Sequence, residues 1–379
     1  MPLTGYEVPD WFADPGVSHE RARTWGRDQA FEATAVEHRA VREAVGVMDM
    51  SFMAKILVQG PGALALLDRV SVSRIDRPVG TIVYTQWLTA SAGIWTDVTV
   101  TRLDEDVFLV VGADVIHRRM LAWLHRHAEE GPYVAITDMT TTRTLLTVQG
   151  PHARDLLSRL TTADLSNEAF PYMSAREIDV HHGRALALRV TYLGELGWEL
   201  HIPNDLAATV YDALFDAGED LGLRDAGLGA LNSLRLEKGY RDYGLDIFND
   251  DTPIDVGLDF TVSWDKPGGF IGRDALVKQR ESGVRTARMV QVLVGDPEPL
   301  LYGDEQLYRD GEHTGENRVG AFGHTLGSSV GLAIVEREHD ISDAYLASGS
   351  WELDIVGRRY PATVSLRPLY DPTRERIKA

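Results

Sequence analysis

Two segments of this chain repeat one another. VQGPGALALLDRV occupies residues 58–70 and VQGPHARDLLSRL occupies residues 148–160, a constant offset of 90. Each follows a short apolar run typical of a strand, AKIL in one case and TLLT in the other. In each, the pattern places proline at the first helical position, where its missing N–H is not needed. The repeat therefore predicts a duplicated strand–turn–helix subdomain rather than a chance resemblance between two such units.

The pattern of the sequence changes near residue 286. Before it, helical and strand-like patterns alternate, and strands predicted over 94–103 and 106–112 flank the turn LDED. Such a hairpin makes the sheet at least partly antiparallel. After residue 286, runs such as GAFGHTLGSSVGLAIV are strand-like and broken by glycine, which predicts a small β-barrel or sandwich. The expected fold class is α+β.

These patterns divide the chain into four parts. An N-terminal segment, expected to join the first subdomain, covers residues 1–50. Two α+β subdomains follow at 51–140 and 141–285, and the C-terminal β domain covers 286–379.

Composition excludes several kinds of partner. A formal charge of −19 argues against nucleic acid and anionic membranes, because both need a basic face. No apolar run approaches the roughly 20 residues needed to cross a bilayer, and MPLTGYEVPDWFADPGV lacks the features of a signal peptide. The chain has no cysteine, which excludes disulfides and thiolate metal sites and makes the cytoplasm the default location. We expect no metal.

One aspartate stands where strands tolerate it least. In GIWTDVTVTR, residues 93–102, apolar and polar side chains alternate with the period of a strand, and Asp97 shares a face with Trp95. A solvated face is the plain explanation of this pattern, and a functional carboxylate is the alternative.

Three further stretches carry aromatic and acidic groups. Tyr84 and Gln86 share one face of the strand predicted over 80–88. Tyr192 and Glu199 flank a glycine-containing turn. A helix predicted over 228–240 is followed by further tyrosines, and its Glu237 and Arg241, four residues apart, are spaced for a surface ion pair. Together, aromatic faces and a carboxylate suit a flat heterocycle with adjacent N–H donors, such as a pterin.

Four motifs together resemble the glycine-cleavage T-protein (aminomethyltransferase) family: GIWTDVTVTR, TYLGELGWELHIP, LNSLRLEKGYRDYGLDI and DKPGGFIGRDAL. The sequences of these motifs are most similar to the tetrahydrofolate-binding C-terminal half of dimethylglycine and sarcosine dehydrogenases and oxidases. The opening WFADPGV and the closing SLRPLYDPTRERIK resemble the same branch. The resemblance covers nearly the whole chain and implies a three-domain cloverleaf around a central folate channel.

The resemblance also implies roles for individual residues. Asp97 matches the catalytic aspartate, which would orient the reduced pterin and manage its proton. Enclosure in a largely apolar cavity would raise the pKa of that carboxylate. Glu199 matches the pterin-recognising glutamate, and Tyr84, Tyr192 and Tyr240 match folate-contacting tyrosines. Tetrahydrofolate is the implied cofactor.

This sequence departs from the family at three positions. Thr96 replaces a first acidic residue, and Ala92 replaces one of two glycines. Leu231 replaces an arginine that would suit the anionic folate tail. For the donor pocket, resemblance and polarity suggest Trp95, Tyr243 and His324 as substrate-binding residues.

Three functions remain open at this stage. The favoured one is a methyltransferase or demethylase that moves a methyl group from a methylated small molecule onto tetrahydrofolate. The second is an aminomethyl- or methylene-transferring subunit supplied by a separate flavoprotein or carrier. The third, a non-catalytic folate-binding protein of iron–sulfur assembly, is disfavoured because Lys238-Gly239-Tyr240 stands where such proteins carry a Lys-Gly-Cys motif.

Overall fold

The computed structural model of this chain describes residues 2–3, 5–128 and 131–379. The first elements in chain order are β1 (Pro2–Leu3), β2 (Tyr6–Glu7), α1 (Ala30–Glu43), β3 (Val45–Asp49), β4 (Ala54–Gln59), α2 (Ala63–Val70), β5 (Ile82–Leu88), β6 (Ile94–Asp104), β7 (Val107–Gly112), α3 (His117–Ala128) and β8 (Ala135–Asp138).

The second group consists of β9 (Arg143–Gln149), α4 (Ala153–Ser158), β10 (Ser174–Val180), β11 (Gly183–Arg189), β12 (Gly197–Pro203), α5 (Asn204–Gly218), β13 (Leu223–Asp225), α6 (Leu228–Glu237) and α7 (Arg273–Ser282). The last group consists of β14 (Ala287–Val294), β15 (Gln306–Arg309), β16 (Glu312–Gly323), β17 (Ser328–Glu336), α8 (Asp343–Leu346), β18 (Trp351–Ile355) and β19 (Arg358–Ser365). Short 3₁₀ turns lie at Asp114–Ile116, Glu219–Leu221, Asp259–Thr261 and Arg376–Lys378.

The first two sheets repeat one topology. The first has the strand order β5-β6-β7-β4-β8, and the second has the order β10-β11-β12-β9-β3-β13. In each, three consecutive antiparallel strands are followed in space by the strand that ends in Val-Gln, β4 or β9. The duplication expected from the sequence is therefore present in the fold.

The repeated turns also match in detail. Gly60 and Gly150, which directly follow the two strands, have φ values of 118° and 137°, in the region that favours glycine. The amide of Ala63 donates to the carbonyl of Gly60, and the amide of Ala153 donates to that of Gly150. Each proline thus lies in a turn, and each helix begins two residues after it, not at the proline as predicted.

The N-terminal segment joins the second sheet, not the first as expected. β3 pairs with β9 and with β13, and α1 packs against α6 and β3. Apolar packing explains this position, because Val45 and Val47 are buried with Leu146 and Val148 in the core of the second sheet.

The chain after α6 returns to the first sheet. Ile254, Phe270 and Leu276 are buried in the core that also contains Val98 and Trp87. Residues 254–276, expected within the second subdomain, therefore pack against the first subdomain.

The C-terminal strands form a closed barrel in the order β14-β17-β16-β15-β18-β19. The barrel closes because β14 pairs with both β17 and β19. The sequence predicted either a barrel or a sandwich for this domain, and the structure shows a barrel. Among the helices of the described ranges, none has both the length and the apolar character needed to cross a bilayer.

A buried network of charges joins the second subdomain to the barrel and the C-terminal segment. Arg42 of α1 donates to Glu195 Oε1 at 3.0 Å and to Glu237 Oε2 at 3.1 Å. Glu195 also accepts hydrogen bonds from the hydroxyl of Tyr370 at 2.7 Å and from Nε of Arg376 at 3.0 Å. The C-terminal segment is thereby tied to α1 and to the turn before β12.

Glu237 does not form the surface ion pair that its spacing suggested. It is fully buried, and its Oε1 accepts the amides of Thr325 and Leu326 from the barrel. Arg241 instead donates to the carbonyls of Val256 and Gly239. The helix ends at Glu237, so Arg241 lies in the following loop and cannot reach back along the helix face.

Candidate active site

The aspartate of β6 lies beside a tyrosine of β5. Antiparallel pairing sets Gln86 directly opposite Asp97, which places Tyr84 on the same face. The Tyr84 hydroxyl donates a hydrogen bond to Asp97 Oδ2 at 2.8 Å. Asp97 is only partly exposed, and the neighbouring Val98 points into the core of the first sheet.

Enclosure changes the ionisation of this carboxyl group. The pKa of Asp97 is raised to about 7, chiefly by burial and also by the carboxylates of Asp242 and Asp246, whereas the hydrogen bond from Tyr84 opposes the rise. Burial also raises the pKa of Asp242 to about 6. Two carboxyl groups that titrate near neutral pH in one site indicate acid–base chemistry.

Helix α6 and the loop after it supply charged residues that the sequence patterns did not single out. Arg235 is fully buried, and its guanidinium is paired with the carboxylate of Asp246. The other oxygen of Asp246 accepts the backbone amide of Asp242 at 2.8 Å. A signal was present in the sequence, since two aspartates flank Gly244 directly after a helix end, where loops often carry function.

Two predicted tyrosines form a wall beside these charges. The rings of Tyr192 and Tyr240 are nearly parallel, with centroids 6.1 Å apart and planes 14° apart. The Tyr192 hydroxyl donates to the carbonyl of Arg241 at 2.9 Å. Burial raises the pKa of Tyr192, and the nearby charges of Asp242 and Asp97 act in the same direction. The wall therefore lies close to Asp97.

Glu199 lies on a polar face of the second sheet. Trp198 and Leu200 of β12 point into the core of that sheet, so Glu199 and His201 point to the opposite face. Thr147 of β9 lies directly across from Glu199. Glu199 Oε2 lies 3.8 Å from His201 Nε2.

One apolar cluster connects the Glu199 face to the tyrosine wall. Leu145 of β9 pairs with His201 of β12, and it belongs to an apolar cluster against which Tyr192 packs. Other members of the cluster are Met48, Met50, Phe52, Leu193, Leu231 and, at its edge, Tyr6. Four predicted residues thus form one group, the central region: Tyr84, Asp97, Tyr192 and Tyr240. Glu199 lies on the polar face of β12, and the apolar cluster joins that face to Tyr192.

A cavity of about 200 Å³ lies beside the apolar cluster, since Tyr6 and Phe52 belong to both. Its lining consists of Tyr6, Phe52, Asp114, Val115, His117, Arg118 and Arg119. Leu231, in place of the family arginine, is buried in the same cluster as Phe52, so the cationic groups of this cavity come from α3 instead. A larger cavity, of about 580 Å³, lies at the N-terminus of α7, and the lining of neither cavity contains a predicted site residue.

Two of the three donor-pocket candidates lie beside the smaller cavity. The guanidinium of Arg119 lies 4.3 Å from the ring of Trp95, which stacks on Trp123. Arg119 also donates to the hydroxyl of Tyr243, which itself donates to Asn249 Oδ1 at 2.9 Å.

His324, the third candidate, is not brought to this group. Its ring contacts Phe31, Phe322 and His38, where the barrel meets α1. Burial lowers the pKa of His324 to about 4.

Several buried polar atoms around the central region have no hydrogen-bond partner within the described part of the chain. They are Gln86 Nε2, Arg235 Nη2, Thr147 Oγ1 and both ring nitrogens of His201. Buried polar groups in folded proteins are nearly always satisfied, so these atoms are available to a polar ligand or to a neighbouring side chain. The tyrosine wall and Glu199 supply the aromatic faces and the carboxylate that suit a pterin. Over the described ranges, no group of three His, Asp or Glu side chains is arranged to hold a metal.

Duplicated α+β subdomains beside a closed barrel, with a pterin-compatible seat and a titratable aspartate, define a folate-dependent one-carbon transferase. Residues 1–266 match the GCVT N-terminal domain, and residues 288–371 match the glycine cleavage T-protein C-terminal barrel domain. The chain belongs to the glycine-cleavage T-protein family, and these matches confirm the expected class and its folate dependence.

Curated relatives and a solved structure agree with this assignment. The chain is 43% identical over 376 residues to the 4-methylaminobutanoate oxidase (formaldehyde-forming) of Paenarthrobacter nicotinovorans, covering 99% of this chain and 45% of that protein. It is 31% identical to the mitochondrial dimethylglycine dehydrogenase of Mus musculus, covering 99% of this chain and 43% of that protein. The chain therefore spans less than half the length of both relatives.

The fold is also that of a crystal structure of the glycine cleavage system aminomethyltransferase T from Bartonella henselae. The TM-score is 0.79 at 24% sequence identity, covering 93% of this chain and 94% of the other. The expected cloverleaf family fold is thus confirmed.

The hydrogen bond between Tyr84 and Asp97 predicts a pH effect. Because it stabilises the ionised carboxylate, Tyr84→Phe should raise the pKa of Asp97 by about one unit. If ionised Asp97 is the active form, the rate of the wild type rises with pH through about 7, and the variant requires a higher pH. The pH profile of kcat/KM measures this shift, and an unchanged midpoint would show that the hydroxyl does not act on Asp97.

Proposed function

We propose that this chain forms 5,10-methylenetetrahydrofolate from tetrahydrofolate and a one-carbon unit at the oxidation level of formaldehyde. The observation that carries the proposal is a partly enclosed carboxyl group, Asp97, with a pKa of about 7 beside the tyrosine wall. The names of the two relatives support the level of oxidation, since one is a formaldehyde-forming oxidase and the other a dimethylglycine dehydrogenase.

Each side chain has a distinct task in this proposal. The carboxylate of Glu199 accepts two N–H donors from the amino edge of the pterin, and Tyr192 and Tyr240 contact the flat ring. Tetrahydrofolate supplies two amine nitrogens that share the incoming carbon. Asp97, ionised near neutral pH, accepts a proton at its carboxylate as an N–H bond is replaced by an N–C bond.

The carbon unit needs a donor. We propose an N-methyl amine oxidised by a flavoprotein, because the relatives named above oxidise such amines. When the carbon arrives as an iminium ion, both N–H protons of tetrahydrofolate pass to the released amine and the charge is conserved. A cytoplasmic location, expected from the absence of cysteine, is part of the same proposal.

Product analysis tests this proposal against the methyl transfer that the sequence favoured. The chain is incubated with tetrahydrofolate, dimethylglycine and a flavoprotein that oxidises dimethylglycine, and the folates are separated by chromatography. We expect methylene product that depends on the flavoprotein and forms faster than with Asp97→Asn, which corrects for the spontaneous reaction of formaldehyde. Methyl product formed without the flavoprotein, from methylated amines, sulfonium compounds or methoxy-aromatics, would contradict the proposal.

A further inference from the structure

We propose that His201 is a positioning residue, which holds one oxygen of Glu199 so that the carboxylate presents a fixed edge to the pterin. This inference rests on the proposed function, because it assigns a supporting residue to the same binding site.

The first observation is the isolation of the imidazole. His201 is 1% exposed, and neither ring nitrogen has a hydrogen-bond partner within the described residues. Leaving a buried polar group unsatisfied costs about 1–3 kcal/mol in general. Nε2 lies 3.8 Å from Glu199 Oε2, so a shift of the carboxylate by about 1 Å would complete a hydrogen bond.

The second observation is that the nearby lysine cannot take this role. Lys55 is fully buried and influences Glu199 by charge. Its three N–H groups are occupied, however, by the backbone carbonyls of Ser51 at 2.8 Å, Met53 at 2.9 Å and Thr140 at 3.3 Å. The lysine therefore stabilises a negative charge at this face but has no donor left to orient the carboxylate.

The third observation concerns protonation. Burial lowers the pKa of His201, although Glu199 acts in the opposite direction. A neutral imidazole carries a single N–H, and a hydrogen bond from Nε2 to Glu199 fixes that tautomer. One carboxylate oxygen is then held by the protein and the orientation of the other is defined for the ligand.

Three substitutions separate positioning from packing. Gln places its side-chain amide near the position of imidazole Nε2, Asn places it near Nδ1, and Leu removes the donor. We expect the dissociation constant for 5-formyltetrahydrofolate, measured by calorimetric titration, to rise about tenfold in His201→Leu and His201→Asn. His201→Gln should remain within about threefold of the wild type, and kcat should change little in all three variants.

Each outcome of the titration has one meaning. Equal losses in all three variants would indicate a packing role and overturn the inference, as would unchanged affinity in His201→Leu. If the Leu variant does not fold, as judged by thermal melting, the comparison of Gln with Asn decides. A wild type that fails to bind the folate would instead overturn the proposed function, so the two failures are distinguishable.

Discussion

Asp97→Asn is expected to lower the rate of one-carbon transfer by about 10²–10⁴ while leaving folate affinity within a few-fold of the wild type. Asparagine keeps the shape of the side chain and can still accept the hydrogen bond from Tyr84. It cannot accept the proton that leaves as the new N–C bond forms. Single-turnover rates and calorimetric titration with 5-formyltetrahydrofolate measure the two quantities separately.

A second aspartate of the same strand provides the control. Asp104 lies at the exposed end of β6, and its carboxylate accepts the amide of Glu105. Asp104→Asn should therefore leave rate and affinity unchanged. Equal rates for wild type and Asp97→Asn would show that the carboxylate at position 97 is not the proton acceptor.

Asp97→Asn should also change the stability of the folded chain in a pH-dependent way. In the folded chain, burial raises the pKa of Asp97 from 3.8 to about 7, so ionisation favours the unfolded state. The stability that this group contributes is complete below pH 3.8 and is lost as the pH rises through about 7. Asp97→Asn should therefore raise the melting temperature relative to the wild type, and by more at pH 8 than at pH 5.

Arg42→Ala is expected to destabilise the fold by about 3–5 kcal/mol. The guanidinium is buried between Glu195 and Glu237, and its loss leaves two enclosed carboxylates without their common cation. Tyr370 and Arg376 still bond Glu195, but the link between α1, the second sheet and the barrel is broken. Denaturant unfolding followed by circular dichroism measures the change.

An exposed arginine is the matched control for this experiment. Arg21 pairs with Asp10 at 3.0 Å and Asp28 at 2.7 Å, but its side chain is 53% exposed. Solvent screens such pairs, so Arg21→Ala should cost less than about 1 kcal/mol. A comparable small loss for Arg42→Ala would show that the buried network does not hold the units together.

The reacting end of the site could be predicted from local patterns. Strand periodicity placed Tyr84 and Asp97 on faces of consecutive strands, and the short connection between β5 and β6 makes them neighbours. The VQGP repeat likewise predicted the duplicated strand–turn–helix unit, whereas the order of the strands is known only from the structure. Local periodicity and short connections were sufficient there.

Other features depend on contacts distant in sequence. β3 begins two residues after the end of α1, so the sequence pattern did not separate the strand from the helix. The position of β3 in the second sheet is set by its pairing with β9 and β13. The glycines before β12 suggested only a turn, although Glu199 lies on a strand. Glu237 is buried by barrel residues nearly ninety positions away, which no helical period can reveal.

A crystal structure with 5-formyltetrahydrofolate would test the central claim most directly. We predict the pteridine between the tyrosine wall and the Glu199 carboxylate, with the amine nitrogens at the Asp97 end of the region. A folate bound in the larger cavity at the N-terminus of α7, or a pteridine out of reach of both carboxylates, would contradict this account.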